Sequence, residues 1–465
     1  RTISGVAPVT VVLPPRRCDH GACTYCPTFI NAPQAYTPDS PAVIRAREDK
    51  FDPYKQVKRK IENLKAMGHP VDKIELIVIG GTFPSYERKF KFEFIKRCYD
   101  AMNNISEEES KSKKNQTIDE IKEGLAKAKK INETASHRCV AMCIETRPDC
   151  CSPDDIKDFL EWGATRVEIG VQAPDDEIYK KTNRCHNVQD VIDATKRLKE
   201  AGFKLGYHLM PGLYGSSPEK DMQMFKDIVF GSSDFRPDQI KIYPCQVVKS
   251  TTLEQQYYAG EYVPYSKEVV REIIIDMLKN TPRYCRVMRI MRAIPSAYLV
   301  AGITNLDMRH DIEEEIRARK IPIQEIRFRE IGFELRDHRK IDTNVSLKVT
   351  EYEGSKGKEL FIEAVNQDDI LFGLLRLRLD QDKTVPAMVR ELHVYGPTLK
   401  LGEKADEEWQ HKGLGKQLMQ KAQDLAKEHG YKEIRVISGI GVREYYYKLG
   451  YKLDKDGIYV EKKLN

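Results

Sequence analysis

The sequence predicts an α/β chain in two parts, a full or partial (β/α) barrel followed by a smaller α+β domain. Three observations carry that expectation. Short β-branched apolar runs alternate with amphipathic stretches through the first two thirds. After about Ile321 the pattern switches to alternation of single apolar and polar residues. The length of 465 residues also exceeds one ordinary domain of roughly 150.

The apolar runs are, in order, "PVTVVL", "IELIVIG", "RCVAMCIET", "TRVEIGVQ", "FKLGYHLMP", "DQIKIYP" and "CRVMRIMR". Amphipathic stretches at Lys55–Met67, Asp154–Trp162, Val188–Glu200, Glu219–Val229 and Lys267–Lys279 separate them. Near-continuous apolar strands alternating with helices predict a parallel sheet buried on both faces. So many units fit a barrel better than a small doubly wound domain. Polar residues at the C-terminal ends of its strands then read as active-site lining, and mid-strand residues as core. The charged stretch 104–133 interrupts the rhythm and reads as mostly exposed helix and loop.

In the second part, "QEIRFREIGFEL", "NVSLKVTEYE", "ELFIEAVN" and "DILFGLLRLRL" alternate with the period of antiparallel, half-exposed strands. "AMVRELHVYG", a helix from Gly413 to about Glu428, and the runs "KEIRVISG" and "GIYVEKKL" complete it. We expect the barrel over residues 1–295, a linker over 296–325 and the α+β domain over 326–465.

No run of about 18 apolar residues is present, so no membrane-spanning helix is expected. The net charge of +6 is unevenly spread. Residues 1–74 carry 12 Lys+Arg against 7 Asp+Glu, and Arg283–Arg329 carries 10 against 6. Such stretches suit a polyanion. All eleven cysteines lie at or before Cys285. An odd count without a secretory signal argues for reduced thiols in a cytoplasm, where a tight cysteine cluster points to metal. The N-terminus "RTISGVAPVTVVLPPRR" lacks an initiator Met and a signal-peptide layout, so we expect a trimmed chain with a longer native start.

The tight cluster is "CDHGACTYC", with Cys18, Cys23 and Cys26 spaced C-x4-C-x2-C. Structural zinc wants four ligands, and Cys23 and Cys26 make one pair that Cys18 or His20 can extend. No second pair follows nearby. A redox C-x2-C lacks the thioredoxin-like context. An iron–sulfur cluster fits better, since three thiolates on a [4Fe–4S] cube leave one iron free for another ligand. The loop directly follows the first strand and so belongs at the catalytic end of a barrel. "DCCSP", with Cys150 and Cys151, shows no partner set at ligand spacing, and Cys98, Cys139, Cys143, Cys185, Cys245 and Cys285 read as buried or half-buried thiols.

With Tyr25 just before the last cysteine, the cluster resembles the radical S-adenosylmethionine (SAM) superfamily, whose usual first spacing is one residue shorter. "GGTF" after the second strand is similar to that superfamily's glycine-rich segment. The resemblance implies that Gly80, Gly81 and Thr82 meet the amino group of SAM by backbone. "ETRPD", "GVQ", "HLMPGL" and "KIYP" end or form the next strands, and Lys241 reads as a partner for the SAM carboxylate or as a structural lysine reaching solvent.

"QHKGLG" precedes the strongest helix of the second part and is similar to the acetyl-CoA signature of the GNAT acetyltransferase family. Glycines there allow a tight turn, and free N–H groups at a helix start take a pyrophosphate. The strand before it, with Glu391, Leu392, His393 and Val394, is implied to splay and to bond pantetheine. Tyr445 or Tyr446 of "VREYYYKLGY" is implied to place a phenol near the thioester sulfur.

The two halves together resemble the catalytic subunit family of the Elongator complex in its archaeal form. "CTYCP", "VDKIELIVIGGTF", "IETRPD", "RVEIGVQ", "FRPDQIKIYP" and "VRELHVYG" lie in that family's order. The resemblance implies a tRNA-modifying enzyme that adds a carboxymethyl-type group at C5 of the wobble uridine. It implies that Cys18, Cys23 and Cys26 hold a [4Fe–4S] cluster. SAM cleavage then yields a radical that takes hydrogen from the methyl of acetyl-CoA, the carbon radical adds to the base, and the thioester is hydrolysed. Acetyl-CoA contacts are implied for Lys73, for Glu391–Val394, for Gly413, Leu414, Gly415, Lys416 and Gln417, and for Tyr446. The implied partners are tRNA, acetyl-CoA and an electron donor, with a homodimer or accessory subunits left open. Relatives often bind zinc between barrel and acetyltransferase. Here Ile323 stands where a cysteine is expected, so no zinc is expected in the linker. Two rival readings are a protein lysine acetyltransferase with a SAM-sensing barrel and a tRNA-binding scaffold that reports acetyl-CoA.

Overall fold

The computed structural model describes residues 5–111, 115–303, 307–334, 341–395 and 413–464. The first part is a sheet of strands β1 Ala7–Val12, β2 Lys73–Ile79, β3 Arg138–Thr146, β4 Arg166–Gln172, β5 Lys204–Leu209, β6 Gln239–Ile242 and β8 Arg286–Ile290. A short β7, Val247–Val248, pairs with β9, Leu299–Ala301, above it. All seven sheet strands are parallel and lie side by side in chain order. Among the described strands β1 and β8 do not pair with each other. The sheet therefore stays an open, partial barrel.

Helices between the strands cover one face. Ser152 caps the helix Pro153–Trp162 and Asn187 caps Val188–Glu200, each reciprocated by an aspartate three residues on. That face is apolar: Ile74, Leu76, Val78, Val167, Ile169, Val171, Leu205 and Tyr207 are all fully buried. The opposite face departs from the expectation of burial on both sides. Glu75, Glu145, Arg166, Glu168, Lys204, His208, Gln239 and Lys241 alternate with the apolar set, and ion pairs link several across strands. These ion pairs line the concave side of the open barrel as a polar lumen.

Three further expectations need correcting. In stretch 104–133 the helix Ile118–Asn132 buries Ile121, Leu125 and Ala128 against the helix Arg88–Met102. Most of its charges occupy the other side of an amphipathic helix, while Lys129 is buried and donates to the Glu161 carbonyl at 2.7 Å. Segment 296–325 is folded onto the barrel: it supplies β9 and the helix Met308–Ala318, with Met308, Ile312 and Ile316 buried. Ile323 packs against the same core. Cys185 is exposed, whereas Cys98, Cys139, Cys143, Cys245 and Cys285 are buried as expected.

The second part is one sheet of β10 Ser346–Gly354, β11 Gly357–Val365, β12 Leu371–Asp380, β13 Ala387–Val394, β14 Glu433–Val436, β15 Lys452–Leu453 and β16 Val460–Lys463. The spatial order is β10-β11-β12-β13-β14-β16-β15, antiparallel except for β13 and β14. The helix Leu414–Glu428 packs on it through Leu414, Leu418, Met419 and Ala422. This sheet meets the barrel at the N-terminal ends of the parallel strands. Arg390 pairs with Asp238, just before β6, and Lys204, at the start of β5, pairs with Glu391. The same junction consumes part of the basic stretch Arg283–Arg329. Arg283 and Arg329 pair with Glu363, and Arg286 pairs with Glu330, so these three join the two parts and do not face a polyanion.

Candidate active site at the two ends of the barrel

At the C-terminal ends of the strands, the loop after β1 brings Cys18, Cys23 and Cys26 together. Cys18 Sγ lies 3.9 Å from the Thr82 hydroxyl, beyond β2. Cys23 Sγ lies 3.6 Å from His20 Nε2 and 3.7 Å from Arg184 Nη1. Cys26 Sγ accepts from Gln34 Nε2 at 3.4 Å. None of the three is in a disulfide. Burial pushes the Cys18 thiol up, and burial with Cys23 alongside pushes Cys26 up to about 12. Buried thiols crowded together resist ionising on their own, and bound cations remove that obstacle. Arginines surround the loop. Arg147 bonds His20 and Asp149, and Arg184 donates to the Tyr25 hydroxyl at 3.2 Å.

The rim also offers unsatisfied polar atoms. Thr146 Oγ1 ends β3 and Gln172 Oε1 ends β4, both buried without a hydrogen-bond partner among the described residues. Gln172 holds a left-handed backbone at φ 66°, a conformation that non-glycine residues adopt only under constraint. Gly80 has φ 123°, and a Cβ there would lie 2.9 Å from the Leu13 amide nitrogen. Gly81 and Thr82 follow it at the mouth, Thr82 buried. Three free thiols, cationic neighbours and orphaned acceptors fit an anionic iron–sulfur cluster with an amino-acid-like ligand beside it.

Lys241 lies on β6, the strand the sequence assigned it to, and meets two protein carboxylates there. Its ammonium lies 2.8 Å from Glu145 Oε1 and against Glu168. Burial works against the charge, but Glu145 and Glu168 hold Lys241 protonated well above the ordinary range. The protein itself thus supplies its anionic partners. Glu168 is 1 % exposed and also meets His208. Burial disfavours its charge, yet Lys241, His208 and Arg166 outweigh that and keep the carboxyl well below the usual range. Glu145, His208 and Lys241 fall in "ETRPD", "HLMPGL" and "KIYP", the strand-end motifs expected to line the site. Glu168, inside "VEIGV", is a mid-strand position that the sequence assigns to the core. Arg184 and Gln34 had no comparable signal, because only the fold brings them to the cysteines.

At the other end of the lumen, β13 pairs with β14 only through Ala387–Val389. Beyond that the two strands diverge, and Glu391, Leu392, His393 and Val394 run half-buried along the opening. Burial opposes the Glu391 charge, but Lys204 and Arg376 outweigh it and hold the carboxyl down to about 2. The His393 ring rests on Tyr395 with centroids 4.4 Å apart. Gly413 caps the helix Leu414–Glu428 with φ 65°, and a Cβ there would meet nothing within 4 Å among the described residues. The first amides, at Leu414, Gly415 and Lys416, start the helix without intrahelical partners. Gln410, His411 and Lys412 of the signature lie outside the described residues. Lys416 and Gln417 are exposed on the first turn.

The two tyrosines separate clearly. Tyr445 is 38 % exposed, and its hydroxyl lies 2.8 Å from where a Cβ on Gly415 would stand. Tyr446 is buried in the sheet core, edge-on to Tyr451. Tyr445 therefore stands at the helix start, whereas Tyr446, the other tyrosine that the resemblance implied near the thioester sulfur, faces the core. Lys73 begins β2 on the lumen side, in register with Arg138. It is at the same N-terminal end as Lys204 and Glu391.

Family models match both parts. The Radical SAM superfamily model covers residues 12–228, a Radical SAM C-terminal domain covers 237–318, and an acetyltransferase (GNAT) domain covers 405–462. The chain is 43 % identical to the tRNA uridine(34) acetyltransferase of Dehalococcoides mccartyi, over 97 % of each protein. It is 45 % identical to the protein of that name from Methanocaldococcus infernus, over all of this chain and 86 % of the relative. Elongator complex protein 3 of Saccharomyces cerevisiae is 35 % identical, over all of this chain and 84 % of the relative. The solved structure of archaeal M. infernus Elp3 with an N-terminal deletion superposes with a TM-score of 0.83, at 40 % identity and full coverage of both chains. A likeness of this extent, carried by two domains in the same order, means that the chain belongs to the family of tRNA uridine(34) acetyltransferases and Elongator complex protein 3.

Proposed function

We propose that this chain attaches a carboxymethyl-type group to C5 of the wobble uridine of tRNA, taking the two carbons from acetyl-CoA. The observation that carries this reading is the placement of two sites at opposite ends of one polar lumen. A strand of six residues at about 3.3 Å each separates the cysteine rim from β13 by about 20 Å. An extended acyl carrier entering from the acetyltransferase side can present its acetyl end within the barrel.

Bound at the rim, a [4Fe–4S] cluster with SAM supplies hydrogen-abstracting radical chemistry. Cys18, Cys23 and Cys26 are its ligands in this reading. Gly80, Gly81 and Thr82 approach SAM with backbone, and Thr146 and Gln172 offer it their unpaired oxygens. Glu391–Val394 bond the pantetheine along the open strand edge. The amides from Gly413 to Lys416 receive the pyrophosphate, with the exposed Gln417 side chain and the Tyr445 hydroxyl beside them. Lys73 reaches the acyl carrier from β2. The exposed Arg16, Arg17, Arg45 and Arg47 supply phosphate contacts for tRNA. The target base leaves its stack to enter the barrel. A one-electron donor is required, and a second copy or accessory subunits complete the assembly in this reading. No helix among the described residues is long and apolar enough to cross a membrane, and eleven free thiols suit a reducing cytoplasm.

The test is anaerobic reconstitution with iron and sulfide, then incubation with SAM, acetyl-CoA, reductant and tRNA. The expected products are 5′-deoxyadenosine and 5-carboxymethyl-type uridine in digested tRNA. Cys23→Ala is expected to abolish both. Modified uridine persisting in that variant would defeat the radical reading. Acetylated protein in place of modified tRNA would favour the lysine acetyltransferase.

A further inference from the structure

The lumen holds a pair of groups to which none of these roles gives a task. His208 Nε2 lies 2.8 Å from Glu168 Oε2. The other oxygen of Glu168 accepts from Gln239 Nε2 at 2.8 Å. The carboxylate is thus pinned from both sides, and it fixes the imidazole through one nitrogen. No described residue hydrogen-bonds His208 Nδ1. The side chain keeps 16 % of its surface exposed to the lumen, while Glu168 keeps 1 %. A half-open imidazole oriented by a buried, ionised carboxylate is the arrangement of a general base and its positioning group.

Two other readings fail on the geometry. Ligand-capable atoms of Glu145, Glu168 and His208 lie within 4.8 Å of one another, which suits a metal ion. The Lys241 ammonium already sits among them, so the positive charge is supplied. A purely structural pair is also a poor fit, because the imidazole faces the concave side and not the helix-covered core. Its position along the strand is informative. Lys204, at the start of β5, pairs with Glu391 of β13. His208 is four residues further along the same face, about 13 Å toward the cysteine rim. It stands between the strand edge that holds the acyl carrier and the end where radical chemistry occurs.

We propose that His208 is the general base that hydrolyses the thioester joining CoA to the newly attached two-carbon group, and that Glu168 positions it. The proposal rests on the reading of acetyl-CoA as carbon donor. His208 Nδ1 takes a proton from a water molecule, and the water oxygen bonds to the thioester carbonyl carbon. The carbon–sulfur bond then breaks, and the sulfur leaves with the electron pair and receives the proton from the imidazolium. Thioester and water become carboxylic acid and free CoA thiol, with nothing oxidised or reduced.

The test separates this step from the radical step. A synthetic anticodon stem-loop carrying the CoA thioester of 5-carboxymethyluridine is given to the full chain with its cluster and no reductant. Release of CoA thiol is expected, with a rate that rises with pH through one ionisation. His208→Gln is expected to slow release about 100-fold or more while the stem-loop still binds. Hydroxylamine, a nucleophile that needs no base, is expected to restore release. Glu145, Glu168, Lys241 and Tyr243 surround the imidazole. Glu168→Gln is expected to slow release while the stem-loop still binds, and hydroxylamine is expected to restore it. Wild-type release from His208→Gln, no release from the wild type, or wild-type release from Glu168→Gln overturns the proposal. The carbon-donor reading is scored independently by 5′-deoxyadenosine and CoA-linked tRNA formed with reductant present.

Discussion

Arg390 and Asp238 meet across the junction of barrel and acetyltransferase in a two-pronged pair, 2.7 Å at each prong, with both side chains completely buried. They lie 152 residues apart in the chain. Arg390 also holds Glu359, and Arg376 and Lys199 complete a buried charge network. Burial opposes the Asp238 charge, but Arg390 and Arg376 outweigh it and keep the carboxyl far below its usual range.

Replacing Arg390 by Met leaves the Asp238 carboxylate buried with fewer partners. The expected cost is about 3–5 kcal/mol, read as a fall in melting temperature and in the denaturant midpoint. The sign with pH follows from the depressed Asp238 value. Its stabilisation is present above the unfolded value of about 3.9 and is lost as pH falls further. An Arg390→Met protein as stable as the wild type at pH 7 contradicts this account.

Gly80→Ala puts a Cβ 2.9 Å from the Leu13 amide nitrogen at a backbone angle that side chains disfavour. Strain of about 1–3 kcal/mol is expected at the rim. The apparent SAM affinity is expected to fall at least about tenfold, measured by SAM titration of reconstituted protein. Unchanged affinity removes Gly80 from the SAM site.

Tyr445→Phe and Tyr446→Ala are expected to part company. Loss of one hydroxyl hydrogen bond at the helix start weakens acetyl-CoA binding about fivefold by calorimetry, with stability unaltered. Truncating the buried Tyr446 destabilises by about 3–5 kcal/mol, in the manner of other large aromatic deletions. The reverse pattern would mean that Tyr446 is the ligand-facing phenol.

His393 predicts a pH dependence. Burial, with Lys204 and Arg286 adding to it and Glu391 opposing, lowers its pKa to about 4. A folded value below the unfolded value of about 6.5 means stability is present above pH 6.5 and lost as pH falls toward 4. Between pH 7 and pH 5 the wild type is expected to lose about 2 kcal/mol more than His393→Gln in urea unfolding. Parallel pH profiles refute the assignment.

Much of this chain was legible before its fold. Cys18, Cys23 and Cys26 stand within nine residues, so local spacing alone pointed to a shared thiol cluster, and the structure brings them together on one loop. The run from Gly413 announced a helix start suited to pyrophosphate, because capping chemistry is also local. Parallel strands, alternation with helices and the switch to period two followed from hydrophobic periodicity.

Tertiary structure decided what pairing across strands decides. The apolar runs concealed the polar residues within them. Glu168, His208 and Lys241 look like isolated interruptions until parallel register sets β4, β5 and β6 side by side and turns them into one lumen. Lys241 found its carboxylates there, Tyr445 and Tyr446 took opposite sides of one short helix, and Arg283, Arg286 and Arg329 became the seal between two domains. A sequence carries the identity and local spacing of its charges. Only the closed chain determines which opposite charge each of them meets, because these pairs join residues 34 to 96 positions apart, and 152 apart for Arg390 and Asp238.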